Sequence, residues 1–296
     1  MYKTYGKGGL NWKLENLKVE YSVDMIRLKN NVYSEFFKPF MDRFSYNPNV
    51  EYYISTNFKK YKHNWHFEDE KGSFWLAYRH NQENGGGQAY NAVIEFNPNK
   101  VQESPLLHEI LKKFFNPDLN YIVSSCDIAI DLHGVDMEKE IFWDKGKKQN
   151  YTIYNKGGSK TVYLGSGANR VKLYDKANEQ NLDDKKWTRY EISMKVDYTY
   201  NTLNDFEYEG CLPKIWVVGL FEYDMDLTST DWFILQALMQ GCGTIDQLGR
   251  RKRKKIRTAL DKQSSFVPDK SQLSRTLRDY VYNSLDKMII PKKRKV

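Results

Sequence analysis

The chain has 296 residues, with 46 Lys and Arg against 38 Asp and Glu, a formal net charge of +8, and 40% hydrophobic and 15% aromatic residues. That is enough apolar material for one large or two modest cores. No run of about 18 apolar residues is available to cross a membrane as a helix, and the opening MYKTYGKGGLNWK has no apolar secretory stretch, so the expectation is an intracellular protein with no membrane partner. Cys126, Cys211 and Cys242 are odd in number and lack CxxC spacing, which excludes a full disulfide framework and a zinc ribbon and predicts reduced, mostly buried thiols.

In chain order, KVEYSVDMIRLK (18–29) reads as a strand, and Phe36, Phe37, Phe40 and Phe44 then recur at helical spacing within 32–44. GSFWLAYRHN and AYNAVIEFNPN, parted by the glycine-rich ENGGG (83–87), predict a hairpin. Ser104 caps and Pro105 opens a helix whose apolar stripe is Leu106, Leu107, Ile110, Leu111 and Phe114. A strand over 120–134, a meander over 152–176 and a strand over 187–196 follow. The sum is an α+β fold with a central, mostly antiparallel sheet and flanking helices.

Beyond about residue 205 the pattern turns helical and basic. An apolar helix over 231–240 is ended by Gly241, and Thr244 with Gln247 forms a capping box for the next. Short helices with tight turns suit either a helix-turn-helix or winged-helix module, or a plain helical cap. In RRKRKKIR, the cations Arg250, Arg251, Lys252, Arg253, Lys254, Lys255 and Arg257 are dense enough to follow a phosphate backbone or to form a solvated helix face.

Alternation along the strands sorts their side chains by face. Glu95 shares a face with Val93, Asp127 and Asp131 share one with Ala129, and Arg189, Glu191 and Ser193 share another. Acids in the middle of three strands need a cause, because strand interiors disfavour Asp. A hard divalent cation, Mg²⁺ or Mn²⁺, is one such cause, and pairing with Lys and Arg on a solvated face is the other. In ANRVKLYDKANE, Arg170, Lys172, Tyr174 and Lys176 alternate with Val171, Leu173 and Asp175, so one of the 22 tyrosines stands in a row of cations that suits a phosphodiester and that spacing alone reads as a solvated strand face.

The order EFNPNK (95–100), CDIAIDL (126–132), TVYLGSGANRVKLYDKANEQ (161–180) and WTRYEISMK (187–195) resembles the replication initiation factor family of the Rep_trans type. These are rolling-circle plasmid initiators and related relaxases of conjugative elements. The likeness is close over roughly residues 85 to 200 and looser in the flanks. It implies origin-specific nicking and rejoining of DNA in the bacterial cytoplasm, through a 5′-phosphotyrosyl link and a free 3′-OH. The family's tyrosine falls on Tyr174 and its acids on Glu95, Asp127 and Glu191, with Asp131 matching a second acid of the same block. These four are implied as the neighbourhood of a bound Mg²⁺ or Mn²⁺. Lys176 and Arg189 match family positions that neutralise the phosphate, and the resemblance further implies a homodimer and a recruited host helicase.

Two domains are expected, a catalytic one over 1–205 and a basic helical one over 206–290. The final PKKRKV (291–296) matches the nuclear import signal of the simian virus large T antigen. It is read as an appended tag that would direct the chain to the nucleus of a eukaryotic cell, and it carries four of the excess positive charges. Alternatives to a replication initiator are a conjugative relaxase and a non-catalytic origin-binding protein. The chain departs from rolling-circle nucleases that bind metal through a His-hydrophobic-His strand, since it has none, and Ser193 stands where some relatives carry an acid.

Overall fold

The computed structural model describes residues 18–56, 61–70, 72–79, 90–101, 103–136, 140–143, 150–154, 160–165, 169–182, 186–217, 227–240, 242–261 and 264–289. The ENGGG turn, Gly241 and the PKKRKV hexapeptide lie outside them. The early elements are β1 (Lys18–Asn30), α1 (Ser34–Asp42), β2 (Val50–Ile54), β3 (His63–Asp69), β4 (Gly72–Tyr78), β5 (Ala92–Phe96), α2 (Pro98–Val101), α3 (Pro105–Phe114) and β6 (Ile122–His133). Next come β7 (Glu140–Trp143), β8 (Asn150–Tyr154), β9 (Lys160–Leu164), β10 (Val171–Asp175), α4 (Lys176–Glu179), β11 (Trp187–Thr199) and β12 (Lys214–Val217). The chain closes with α5 (Ser229–Met239), α6 (Arg250–Leu260), β13 (Ser264–Phe266), α7 (Lys270–Asp279), a π-helical turn and α8 (Asp286–Ile289). The fold is α+β, built on a large sheet whose described registers are antiparallel.

Two compact units divide the chain, each assembled from three stretches of sequence. The first comprises Ser22–Ile128, Met194–Tyr208 and Ser274–Val296, with hydrogen-bonded strand order β2-β3-β4-β5-β1-β6-β11. Its register pairs Leu76 with Ile94 and Ile94 with Leu28, so one face of the sheet is aliphatic and fully buried. Helices α1 and α3 supply aromatic rings to the same core. Phe37 stacks on Tyr78 at 4.6 Å and meets Phe114 at 5.0 Å, and the Ser104 side chain caps α3 by accepting from Leu107 N–H. The opposite face carries the next residue of each strand, with Trp75 opposite Glu95 and Glu95 opposite Arg27.

The second unit comprises Met1–Tyr21, Ala129–Ser193 and Glu209–Leu273, with strand order β6-β11-β10-β9-β8. It also holds a small antiparallel sheet ordered β13-β12-β7. Trp216 of that sheet packs with Leu235 and Leu238 of α5 and Ile256 and Leu260 of α6 in one buried cluster. The helix pair is therefore anchored on a sheet whose third strand, β7, comes from well before residue 205. The cysteines depart from the expectation of burial: Cys126 is buried, whereas Cys211 and Cys242 are exposed, and none of the three is in a disulfide. Cys126 sits in strand β6, whereas the other two stand outside the helices and strands, on segments with no core face to offer them.

Gly72 opens β4 with φ +122°, a backbone region that side chains disfavour, and a Cβ there would lie 3.0 Å from the Lys100 carbonyl oxygen. Gly72→Ala is expected to destabilise the chain by about 1–3 kcal/mol, measured by urea unfolding.

Candidate active site

In the second unit, β10 pairs with β11 so that Lys172 faces Glu191 and Tyr174 faces Arg189. Alternation then puts all four side chains on one face of the pair. The Tyr174 hydroxyl donates to Glu191 Oε2 at 3.5 Å, and Lys172 Nζ lies 3.6 Å from that same oxygen. Lys172 Nζ also stands 4.1 Å from the centre of the Tyr174 ring, with Lys176 Nζ at 5.8 Å. Tyr174 is only 7% exposed, so these charges act on its ring and hydroxyl with little water between them.

Local sequence explains the placement of Lys176. Asp175 ends β10 and caps α4 by accepting from Asn178 N–H, which turns the chain sharply after the tyrosine. Lys176 is thereby the first helical residue, and it ion-pairs with Glu179 one turn along. Arg170, the first cation of the row, lies over the Tyr163 ring at 5.6 Å.

Asp131 and Arg189 come together in this unit, though as a pair with each other. Arg189 Nε donates to Asp131 Oδ1 and its terminal nitrogen to Oδ2, both at 2.8 Å, and Trp187 Nε1 adds a third bond to Oδ1 at 2.8 Å. Both side chains are nine-tenths buried. The resemblance implied Asp131 only as part of the metal neighbourhood, and here both its carboxylate oxygens are occupied by Arg189 and Trp187. Its chemistry is that of an anchor that fixes the Arg189 guanidinium beside Tyr174.

Glu95 and Asp127 belong to the first unit. Glu95 accepts from Arg27 Nε at 2.6 Å and forms an ion pair with the same guanidinium. Asp127 lies on β6 next to the buried Cys126, whose thiol is pushed well up by burial and by the charges of Asp127 and Asp24. Asp24, on β1, is an acid that sequence reasoning missed, because irregular burial along that strand hides its face. Among the described residues no three His, Cys, Asp or Glu side chains gather as a metal-ligand group. Glu191 meets the Tyr174 hydroxyl and the Lys172 ammonium at its Oε2, both at long range.

The RRKRKKIR run forms α6, and the structure divides its cations. Lys252 and Lys255 fold back onto Asp231, which is fully buried at the start of α5; Lys255 Nζ is 2.9 Å from its Oδ2 and Lys252 Nζ 2.5 Å from its Oδ1. Asp231 also completes a capping box with Thr228. The lysines, Lys252 foremost, hold its carboxyl far below the usual carboxylate range. Arg250, Arg253, Lys254 and Arg257, at i, i+3, i+4 and i+7, line one groove of about 370 Å³ with Thr258 and Asp261. Arg253 reaches back to the Asp246 and Leu248 carbonyls. Arg250, Arg251 and Lys254 are exposed.

No family model matches the chain, and no curated protein matches it. Among solved structures, a rolling circle replication initiator protein from Geobacillus stearothermophilus is similar over 75% of this chain and 97% of that chain, with 13% identity and a TM-score of 0.40.

The buried ion pairs can be probed through stability. Asp131→Ala is expected to destabilise the fold by about 3–5 kcal/mol in chemical denaturation, because it strands a buried guanidinium. Asp231 has a folded pKa below its unfolded one, so its contribution is present above the ordinary carboxylate range and is lost as pH falls through and below that range. Asp231→Asn is expected to flatten the acid limb of a stability-against-pH curve.

Proposed function

We propose that the chain is a DNA nicking and joining enzyme of the rolling-circle type, with Tyr174 as its nucleophile. The observation that carries this reading is the Tyr174 hydroxyl within reach of the Glu191 carboxylate and flanked by Lys172 and Lys176. A base, a nucleophile and two cations in one array are what phosphodiester transesterification requires.

Tyr174 Oη attacks the phosphorus of a phosphodiester while its proton passes to Glu191. The new O–P bond forms as the P–O3′ bond breaks, and the departing 3′ oxygen takes up a proton to become a free hydroxyl. Rejoining is the same sequence reversed. Lys172 and Lys176 neutralise the charge that builds on the non-bridging oxygens, and Arg189, held by Asp131, adds a fixed positive charge beside the tyrosine. A divalent cation, when bound, would supply further neutralisation of the phosphate and the leaving oxygen, with Glu191 as the acid beside Tyr174 that would hold it. The Arg250, Arg253, Lys254 and Arg257 stripe of α6 is assigned to the phosphate backbone of duplex DNA, which it contacts without reading bases.

A covalent adduct is the decisive readout. End-labelled single-stranded DNA incubated with the chain and Mn²⁺ is expected to yield a detergent-stable protein–DNA adduct that Tyr174→Phe abolishes while DNA affinity persists. An adduct formed by the Phe variant removes Tyr174 from the role. Glu191→Gln is expected to slow cleavage by about 10²–10⁴-fold, with a flattened pH–rate profile, since the proton acceptor is gone.

A further inference from the structure

The first unit carries a second cationic surface, on the sheet face turned away from α1 and α3. The register places Arg27 opposite Glu95 and Trp75 opposite Glu95, with Lys29 opposite Val93 and Ala77 opposite Val93 in the next row. Arg79 lies two residues beyond Ala77 on the same face. Neighbouring strands are about 4.8 Å apart, so the long side chains of Lys29 and Arg79 converge over the small Ala77 and Val93. Lys195 and Asp197 of β11 stand close enough to influence Lys29 as well.

The charges on this face are unequally matched. Arg27 has Glu95 and Lys195 has Asp197 at 2.9 Å. Among the described residues neither Lys29 nor Arg79 meets a carboxylate, and the buried Arg79 Nε has no acceptor. Burial lowers the Lys29 pKa, Asp197 opposes that fall, and the repulsion of Arg27, Lys195 and Arg79 adds to it. Half-buried aromatic rings adjoin these cations. The Arg79 guanidinium lies 5.0 Å from the centre of the Tyr61 ring, Arg27 lies 5.9 Å from that of Trp75, and the two rings meet edge to face at 6.4 Å.

From this arrangement we infer that the Trp75, Tyr61, Lys29 and Arg79 face is a subsite for single-stranded DNA, with a backbone phosphate between Lys29 and Arg79 and an unpaired base against the rings. The inference rests on the nicking reading for its choice of ligand, and it adds a strand-holding site that uses none of the groups assigned to the chemistry. A phosphate accepts from the Arg79 guanidinium and offsets the surplus charge around Lys29, whereas paired bases in a duplex have no face to offer the rings.

The test measures binding apart from cleavage. A fluorescein-labelled oligothymidylate is titrated with the full chain carrying Tyr174→Phe, in EDTA, over a series of NaCl concentrations. Adding Lys29→Gln and Arg79→Gln together is expected to weaken binding at least tenfold and to reduce the slope of log affinity against log salt by about 0.7 for each phosphate no longer neutralised. Trp75→Leu is expected to weaken it about tenfold, as is an abasic strand against the parent protein. Lys29→Arg with Arg79→Lys should restore most of the affinity, which a variant that merely misfolds would not do. Unchanged affinity in the Gln pair overturns the subsite, and equal binding of abasic and normal strands overturns the stacking. If the parent chain forms the covalent adduct while the Gln pair binds normally, the subsite alone fails. If the Gln pair loses binding but no substrate ever yields an adduct, the nicking reading fails and the subsite stands.

Discussion

The antiparallel register of β10 against β11 is the constraint on which the candidate site depends. Because side chains alternate along a strand, a slip of one residue would send Tyr174 and Lys172 to one face and leave Glu191 and Arg189 on the other. Apolar residues guard against this, since Val171, Leu173, Tyr190 and Ile192 are all fully buried on the opposite face. The Asp131–Arg189 pair adds a polar lock at the same level, because a guanidinium fixed by two parallel bonds has one productive position. Stability and chemistry are thus coupled: the core that fixes the register also fixes the distance between hydroxyl and carboxylate.

The basic helix α6 shows the same economy of charge in another form. A run of seven cations in eight residues would repel itself as an isolated helix. Burying Asp231 where two of them can reach it relieves part of that repulsion and ties α6 to α5. The capping box positions Asp231, so a local helix-start signal and a tertiary ion pair share one carboxylate. What remains is a stripe repeating every three to four residues along one side of the helix, a spacing suited to successive contacts along a phosphate backbone.

Much of this was legible in the sequence where local rules decide. Alternation gave β1, β6, β10 and β11, and the Ser104–Pro105 start of α3 and the Thr244–Gln247 capping box follow from caps that act within four residues. The tyrosine in its row of cations was visible because period-2 spacing needs no partner strand. Long-range partners were not visible. The pairing of Arg27 with Glu95 spans 68 residues and that of Arg189 with Asp131 spans 58, and no local pattern encodes either. Strand β2 carries a tyrosine on each face and exposes Tyr52, Tyr53 and Ile54, so it lacks the one buried face that marks a half-buried strand. β7 became part of the small sheet only through β12, which lies some seventy residues later in the chain.

The looseness of the Lys172–Glu191 pair is itself informative. A charge-assisted bond between ammonium and carboxylate normally closes to about 2.7–2.9 Å, whereas this pair stands at 3.6 Å with the tyrosine hydroxyl at 3.5 Å from the same oxygen. A tight ion pair would hold both partners to each other, leaving a cation already spent. At the longer distance the ammonium is not drawn into a closed pair and keeps its reach toward an anion. On the proposed nicking reading, arrival of a phosphodiester would draw Lys172 toward the phosphate and away from the Glu191 oxygen that it shares with the Tyr174 hydroxyl. On that reading the ground-state geometry is held short of completion, and the substrate's own charge would bring hydroxyl and carboxylate together.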